Sequence, residues 1–162
     1  MKLLKIGLSR PKKFKLFAEL IRLIEKTEFS HAFILFENFY GEKVVFQASG
    51  SKVNFMNFEI FEKDNIITNL YDIEVENLDY ENVISYCLKQ VGKPYSIRDI
   101  VGITLYKITS LKLLKGTKEK EFICSELIGE ILQIIEILEE KELDYFTPKN
   151  LYNLLESIDD II

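Results

Sequence analysis

From His31 to Val75 the hydrophobic pattern of this chain is strand-like and from Tyr80 onward it is helical, and that change limits the folds open to it. His31–Phe36 is a compact apolar and aromatic run, as a buried strand requires. Asn38–Gly41 reads as a turn. Lys43–Ser49, rich in valine and phenylalanine, is a second strand, and Ser49–Ser51 is another turn. Lys52–Ile60 alternates as a third strand, and Ile66–Val75 holds a fourth. Connections this short predict an antiparallel meander. Leu3–Leu8 is a further short strand, punctuated by Pro11. A helix follows from about Phe14 to Lys26, where Phe17, Leu20, Ile21 and Ile24 recur at helical spacing.

From Tyr80 onward the period is helical. Tyr80–Val91 carries Val83, Ile84, Cys87, Leu88 and Val91 on one face, and Gly92 and Pro94 end it. Ile97–Leu105 predicts another helix, and Lys112–Lys120 reads as a charged surface loop. A strongly apolar helix runs from Cys124 to about Glu139. Thr147 is placed to cap a last helix with Pro148 at its first position. Strands bunched first and helices second predict an α+β domain, an antiparallel sheet packed against helices.

At 162 residues the chain has the length of one domain, 1–162, with no linker or repeat to divide it. It can bury a core without disulfides or a metal. With 21 basic and 26 acidic side chains the net charge is -5, which gives no general attraction to nucleic acid. The one basic cluster is Arg10, Lys12, Lys13 and Lys15. It reads first as a solvated rim and second as a contact for an anionic surface. The start lacks the apolar core and cleavage site of a signal peptide, and no apolar run is long enough to span a bilayer. The expectation is a cytoplasmic protein with no integral membrane segment and two free thiols. One histidine and two distant cysteines make no metal-ligand set, and no cofactor is expected. Nothing in the pattern specifies an oligomeric state.

Few residues can carry chemistry. The single histidine, His31, opens an apolar strand. By itself it reads as a hydrogen-bonded strand-end residue. Cys124 opens a helix, where unpaired N–H groups and the helix dipole favour a thiolate. Such a site lowers a thiol from about 8.5 to about 3.5–7.5. The alternative is a small buried hydrophobe. Cys87 sits mid-helix on the apolar face and reads as core. Gln47 is polar within the apolar run Val44–Ala48, on a strand expected to pair with that of His31. A buried amide needs a partner, and its oxygen can accept an imidazole N–H and fix the tautomer. The alternative for Gln47 is an exposed edge residue.

These pieces resemble a family. Gly92-Lys93-Pro94-Tyr95, followed by Phe122-Ile123-Cys124-Ser125-Glu126-Leu127, looks like the nucleophile half of NlpC-type papain-like hydrolases. There a Gly-x-Pro-Tyr segment precedes a Cys-Ser pair that opens a helix. In ordinary members the histidine strand follows the cysteine. Here Phe29-Ser30-His31 precedes it, which is similar to the circularly permuted branch, the YiiX-like and lecithin-retinol-acyltransferase-like proteins. Gln47-Ala48 falls where YiiX-like members often carry Glu before Ala, so the orienting group here is neutral. Phe146–Tyr152 resembles their C-terminal Thr-Pro segment. The Asn-Cys context of the retinol acyltransferase branch is absent, as is the extracytoplasmic signal of some relatives. The match runs from about Ser30 to Tyr152.

The resemblance implies a permuted papain-like fold with Cys124 as nucleophile, His31 as base and Gln47 as orienting group. It implies that the Cys124 N–H serves the oxyanion hole and that Tyr95 lines the site with its hydroxyl. Read without it, Tyr95 is a half-buried aromatic after a turn. The implied activity is cleavage of an amide or peptide bond through a thioester, on a peptide, a cell-wall fragment or an acyl-amide. An acyltransferase or lipid-ester hydrolase on the same scaffold, and a binding module that keeps only the fold, are the alternatives.

Overall fold

The computed structural model describes residues 1–38, 40–50, 52–94, 124–139, 143 and 146–159. In chain order the elements are β1 (Lys2–Pro11), α1 (Leu16–Glu25), β2 (His31–Glu37), β3 (Lys43–Ser49), β4 (Lys52–Asn57), α2 (Phe58–Asp64), β5 (Asn65–Val75), α3 (Asn77–Gln90), α4 (Cys124–Ile134) and α5 (Pro148–Asp159). The five strands form one antiparallel sheet in the order β4-β3-β2-β1-β5, and the domain is α+β.

Alternation along the strands gives the sheet two apolar faces. Leu4, Ile6 and Leu8 of β1, Ala32, Ile34 and Phe36 of β2, and Phe46 and Ala48 of β3 look into the main core. Val83 and Cys87 of α3, Leu127, Ile128, Ile131 and Leu132 of α4, and Leu151 and Leu155 of α5 close that core from above. Tyr86 of α3 donates to Glu130 of α4, and Tyr71 of β5 donates to Glu156 of α5 at 2.5 Å. The opposite face is smaller. Phe33, Leu35 and Val45 meet Phe61 of α2 there. Gly7 pairs with Phe33 across β1 and β2, and the Phe33 ring lies over the space that a Gly7 side chain would fill.

Several elements depart from the sequence expectation. The stretch Lys52–Ile60 is not one strand. β4 stops at Asn57, whose side chain accepts the Glu59 N–H at 2.9 Å and caps α2. The meander runs through β1–β4, but β5 crosses over and pairs with the free edge of β1 through ten positions, Lys2↔Val75 to Pro11↔Asn65. β1 therefore lies inside the sheet and is longer than Leu3–Leu8.

The helices differ too. α4 ends at Ile134, short of Glu139. Glu136 adopts φ 58°, with Ile137 N–H bonded to Leu132 O and Glu136 N–H to Gln133 O, a Schellman closure without glycine. In α3 Val83 and Cys87 are buried, whereas Ile84, Leu88 and Val91 are exposed, so the predicted apolar face is only half used. In α1 none of Phe17, Leu20, Ile21 and Ile24 is buried. The last helix begins as expected. Thr147 Oγ1 accepts the Asn150 N–H at 3.2 Å while Asn150 Oδ1 accepts the Thr147 N–H at 3.1 Å, a reciprocal capping box. The expected helix Ile97–Leu105 and loop Lys112–Lys120 lie outside the described residues. Among the described residues no helix is long and apolar enough to cross a membrane.

Candidate functional site

The site begins where two strands part. β2 and β3 are paired only from Ile34↔Phe46 to Glu37↔Lys43, while β3 goes on with β4 to Ser49↔Lys52. The first three residues of β2, His31 to Phe33, therefore have no ladder partner on the β3 side. A backbone N–H in that position needs another acceptor. The Ala32 N–H lies near enough to Cys124, the first residue of α4, to favour its thiolate.

His31 and Gln47 close the same gap with side chains. Continued by one step, the β2–β3 register would bring Gln47 beside Phe33. From there its side chain reaches back to the ring of His31, where Oε1 lies 2.8 Å from Nε2. Gln47 is buried, not an exposed edge residue. Its amide Nε2 points at the Met56 sulfur, 3.9 Å away. With Oε1 accepting, the imidazole carries its proton on Nε2 and leaves Nδ1 basic. The Phe61 ring, 6.4 Å from that of His31, bounds the imidazole on the α2 side. Ser9 stands opposite His31 on β1 and buries its hydroxyl without a partner among the described residues.

Cys124 is fixed from behind. Ser125 is fully buried, and its hydroxyl donates to Phe146 O at 2.6 Å. That bond ties the start of α4 to the chain just before α5. Sequence reasoning used Ser125 only as half of a motif; its buried hydroxyl gives it a structural task of its own. Two charges were also missed. Lys15, before α1, acts on His31, and Glu25, the last residue of α1, acts on Cys124. Tyr95 lies outside the described residues.

The electrostatics reverse one expectation. Cys124 is not lowered towards neutrality. Burial pushes its thiol up to about 11, against the Ala32, Ser125 and Cys124 N–H groups, and the Glu25 charge adds to the rise. Desolvation thus outweighs the helix N-terminus. Burial also pushes His31 down to about 4, opposed by the Gln47 hydrogen bond and assisted by the Lys15 charge. At neutral pH these shifts leave Cys124 a thiol and His31 a neutral imidazole. Cys87, fully buried in α3, has its thiol pushed up further by burial.

The His31 shift carries a stability consequence. Between its unfolded value of 6.5 and its folded value of about 4, the unfolded chain binds the proton and the folded chain does not. Stability is therefore fully present above pH 6.5 and is lost as pH falls towards 4, by about 3 kcal/mol. Because His31 is the only histidine, denaturant titrations of wild type and His31→Gln isolate the effect. The difference between their pH slopes in this window is expected to be close to one proton. Parallel slopes would show that burial of His31 has no linkage to folding.

Among the described residues no cluster of three or more His, Cys, Asp or Glu side chains is placed to hold a metal ion. No family model matches the chain. No curated protein matches it. Among solved structures it is similar to the metalloprotein YiiX of Escherichia coli O157:H7, at 15% sequence identity and a TM-score of 0.47, over 93% of this chain and 90% of that one.

Proposed function

We propose that the chain is a thiol hydrolase of the permuted papain-like, YiiX-like kind, cleaving an amide or peptide bond with Cys124 as nucleophile and His31 as base. One observation carries the reading. The sole histidine is held through Nε2 by a buried amide, Gln47, on the neighbouring strand. With Cys124 as the proposed nucleophile, this contact supplies the base and the orienting group that covalent catalysis uses.

In the proposed reaction His31 Nδ1 takes the thiol proton as Sγ attacks the carbonyl carbon. A C–S bond forms, and the carbonyl electron pair moves to oxygen. The Cys124 N–H, with the Tyr95 hydroxyl as a second donor, stabilises that oxyanion. Collapse breaks the C–N bond, and the amine leaves with the proton from His31. Water then adds to the thioester while His31 takes its proton, the C–S bond breaks, and the acid and the thiol are released. A neutral resting pair suits this course, because the base is already free of its proton above about pH 4. A peptide, a cell-wall fragment or an acyl-amide fits as substrate, and an amine or hydroxyl in place of water would make the same thioester an acyl donor.

The raised Cys124 thiol favours the second reading, a binding module without turnover. Incubation with activated acyl esters, followed by intact-mass and peptide mass spectrometry, separates the two. The expected result is a single acyl group on Cys124 that disappears with time and is absent at Cys87. No adduct with any ester, in a protein shown to be folded, would leave the binding module.

A further inference from the structure

Helix α1 faces the wrong way for its own pattern. At 3.6 residues per turn, Leu16, Leu20 and Leu23 fall along one line, with Phe17, Ile21 and Ile24 beside it. Ala18, Glu19, Arg22 and Glu25 make the other side. A surface helix ordinarily lays its apolar arc on the core. Here the one buried residue is Glu25, opposite Leu16 and Leu23. Its carboxylate accepts the Lys149 N–H of α5 at 3.0 Å, and Lys149 Nζ donates to the Glu25 carbonyl at 3.1 Å. The helix is thus attached through Glu25, with Leu20, Ile21 and Ile24 only half-buried and Leu16, Phe17 and Leu23 turned outward. Leu16, Leu23 and the preceding Phe14 are 67%, 76% and 77% exposed, and Phe17 is exposed as well.

Charge identifies what this face meets. Lys13 and Lys15 are exposed at the start of the helix, within a chain of net charge -5. Among the described residues the ion pairs are Lys5–Asp72 and Arg22–Glu19, so neither lysine is neutralised by one. Lys12 differs, since its ammonium donates to Glu62 O. An outward apolar arc with cations at its edge matches a surface that is apolar below and anionic above.

We propose that α1 is an interfacial docking helix that sets Phe14, Leu16, Phe17 and Leu23 into an anionic lipid surface, with Lys13 and Lys15 at the headgroups. One short helix gives reversible attachment and not insertion. Attachment itself does not depend on the hydrolase reading and is measured without turnover.

Co-sedimentation of the full chain with phosphatidylcholine–phosphatidylglycerol vesicles, compared with pure phosphatidylcholine, tests the proposal. Partitioning is expected to be about tenfold or more stronger on the anionic vesicles, and to weaken with salt. The double variant Leu16→Ser/Leu23→Ser should lose about tenfold or more of it. Lys13→Gln/Lys15→Gln should bring it down to the level of pure phosphatidylcholine. All four positions are exposed, so the melting temperature of each variant should match wild type. Failure to bind anionic vesicles, or equal binding by the leucine variant, would overturn the proposal. So would a dimer in sedimentation equilibrium that the leucine variant abolishes, because a second copy would then be the occupant.

Discussion

Turnover of an activated acyl substrate is expected to vanish to the uncatalysed level in Cys124→Ala and to fall by about 10²–10⁴-fold in His31→Ala. The first loss removes the atom that forms the bond. The second removes the base that makes a thiol of pKa about 11 nucleophilic at neutral pH. Gln47→Ala should cost less than either, because Gln47 holds the tautomer and orientation of a ring that strand β2 also positions. The acid limb of kcat/KM is expected near pH 4, well below the ordinary 6.5 of histidine. Resting alkylation should tell the same story. Iodoacetamide should modify Cys124 faster than Cys87, at a rate that rises about tenfold per pH unit through the neutral range. A plateau already reached at pH 7 would contradict the neutral pair and restore the thiolate–imidazolium description. Undiminished turnover in His31→Ala would remove His31 from the mechanism altogether.

The second large effect concerns folding. A Cβ added at Gly7 would stand 2.1 Å from Phe33 Cζ and 2.5 Å from both flanking ring carbons. The ring has little room to move. Phe33 is fully buried, and its centroid lies 4.7 Å from that of Phe61. Gly7→Val is therefore expected to destabilise by about 3 kcal/mol or more, the upper range for overpacking. The denaturant midpoint should fall with little change in slope. Because Phe61 also bounds the His31 ring, the surviving folded fraction should show an altered His31 NMR titration. Combining Gly7→Val with Phe33→Ala should cost much less than the sum of the two, since the second change removes the atoms the first collides with. A Gly7→Val protein as stable as wild type would mean that the ring does not lie there.

The residues that sequence reasoning read well are those whose signal is local. Strands β2 and β3 announced themselves by apolar runs, and Thr147-Pro148 by cap chemistry. Gln47 stood out as an amide in an apolar strand, and its burial against His31 follows from the cost of an unpaired buried amide. Other features depend on what arrives from elsewhere. Asn57 looks like one more alternating residue until its side chain is seen to cap α2. The return of β5 to β1 is a non-local pairing that no window of residues encodes. The Cys124 thiol was misjudged because the dipole belongs to its own helix, whereas the burial that opposes it comes from β2 and the rest of the core. The partner of Glu25, Lys149, lies 124 residues further on, beyond the reach of any local pattern.

That separation has a consequence for the newborn chain. His31 and Gln47 sit in strands that can pair as soon as the first half has been made, but the thiol arrives only with α4. The start of α4 is pinned by Ser125 to Phe146, and α5 is pinned through Lys149 to Glu25. During vectorial synthesis the imidazole and its amide are assembled first, before the proposed nucleophile has been made. The start of α4 is tied down only after α5 has left the ribosome. A chain truncated before α4 therefore carries His31 and Gln47 without Cys124, only half of the proposed site.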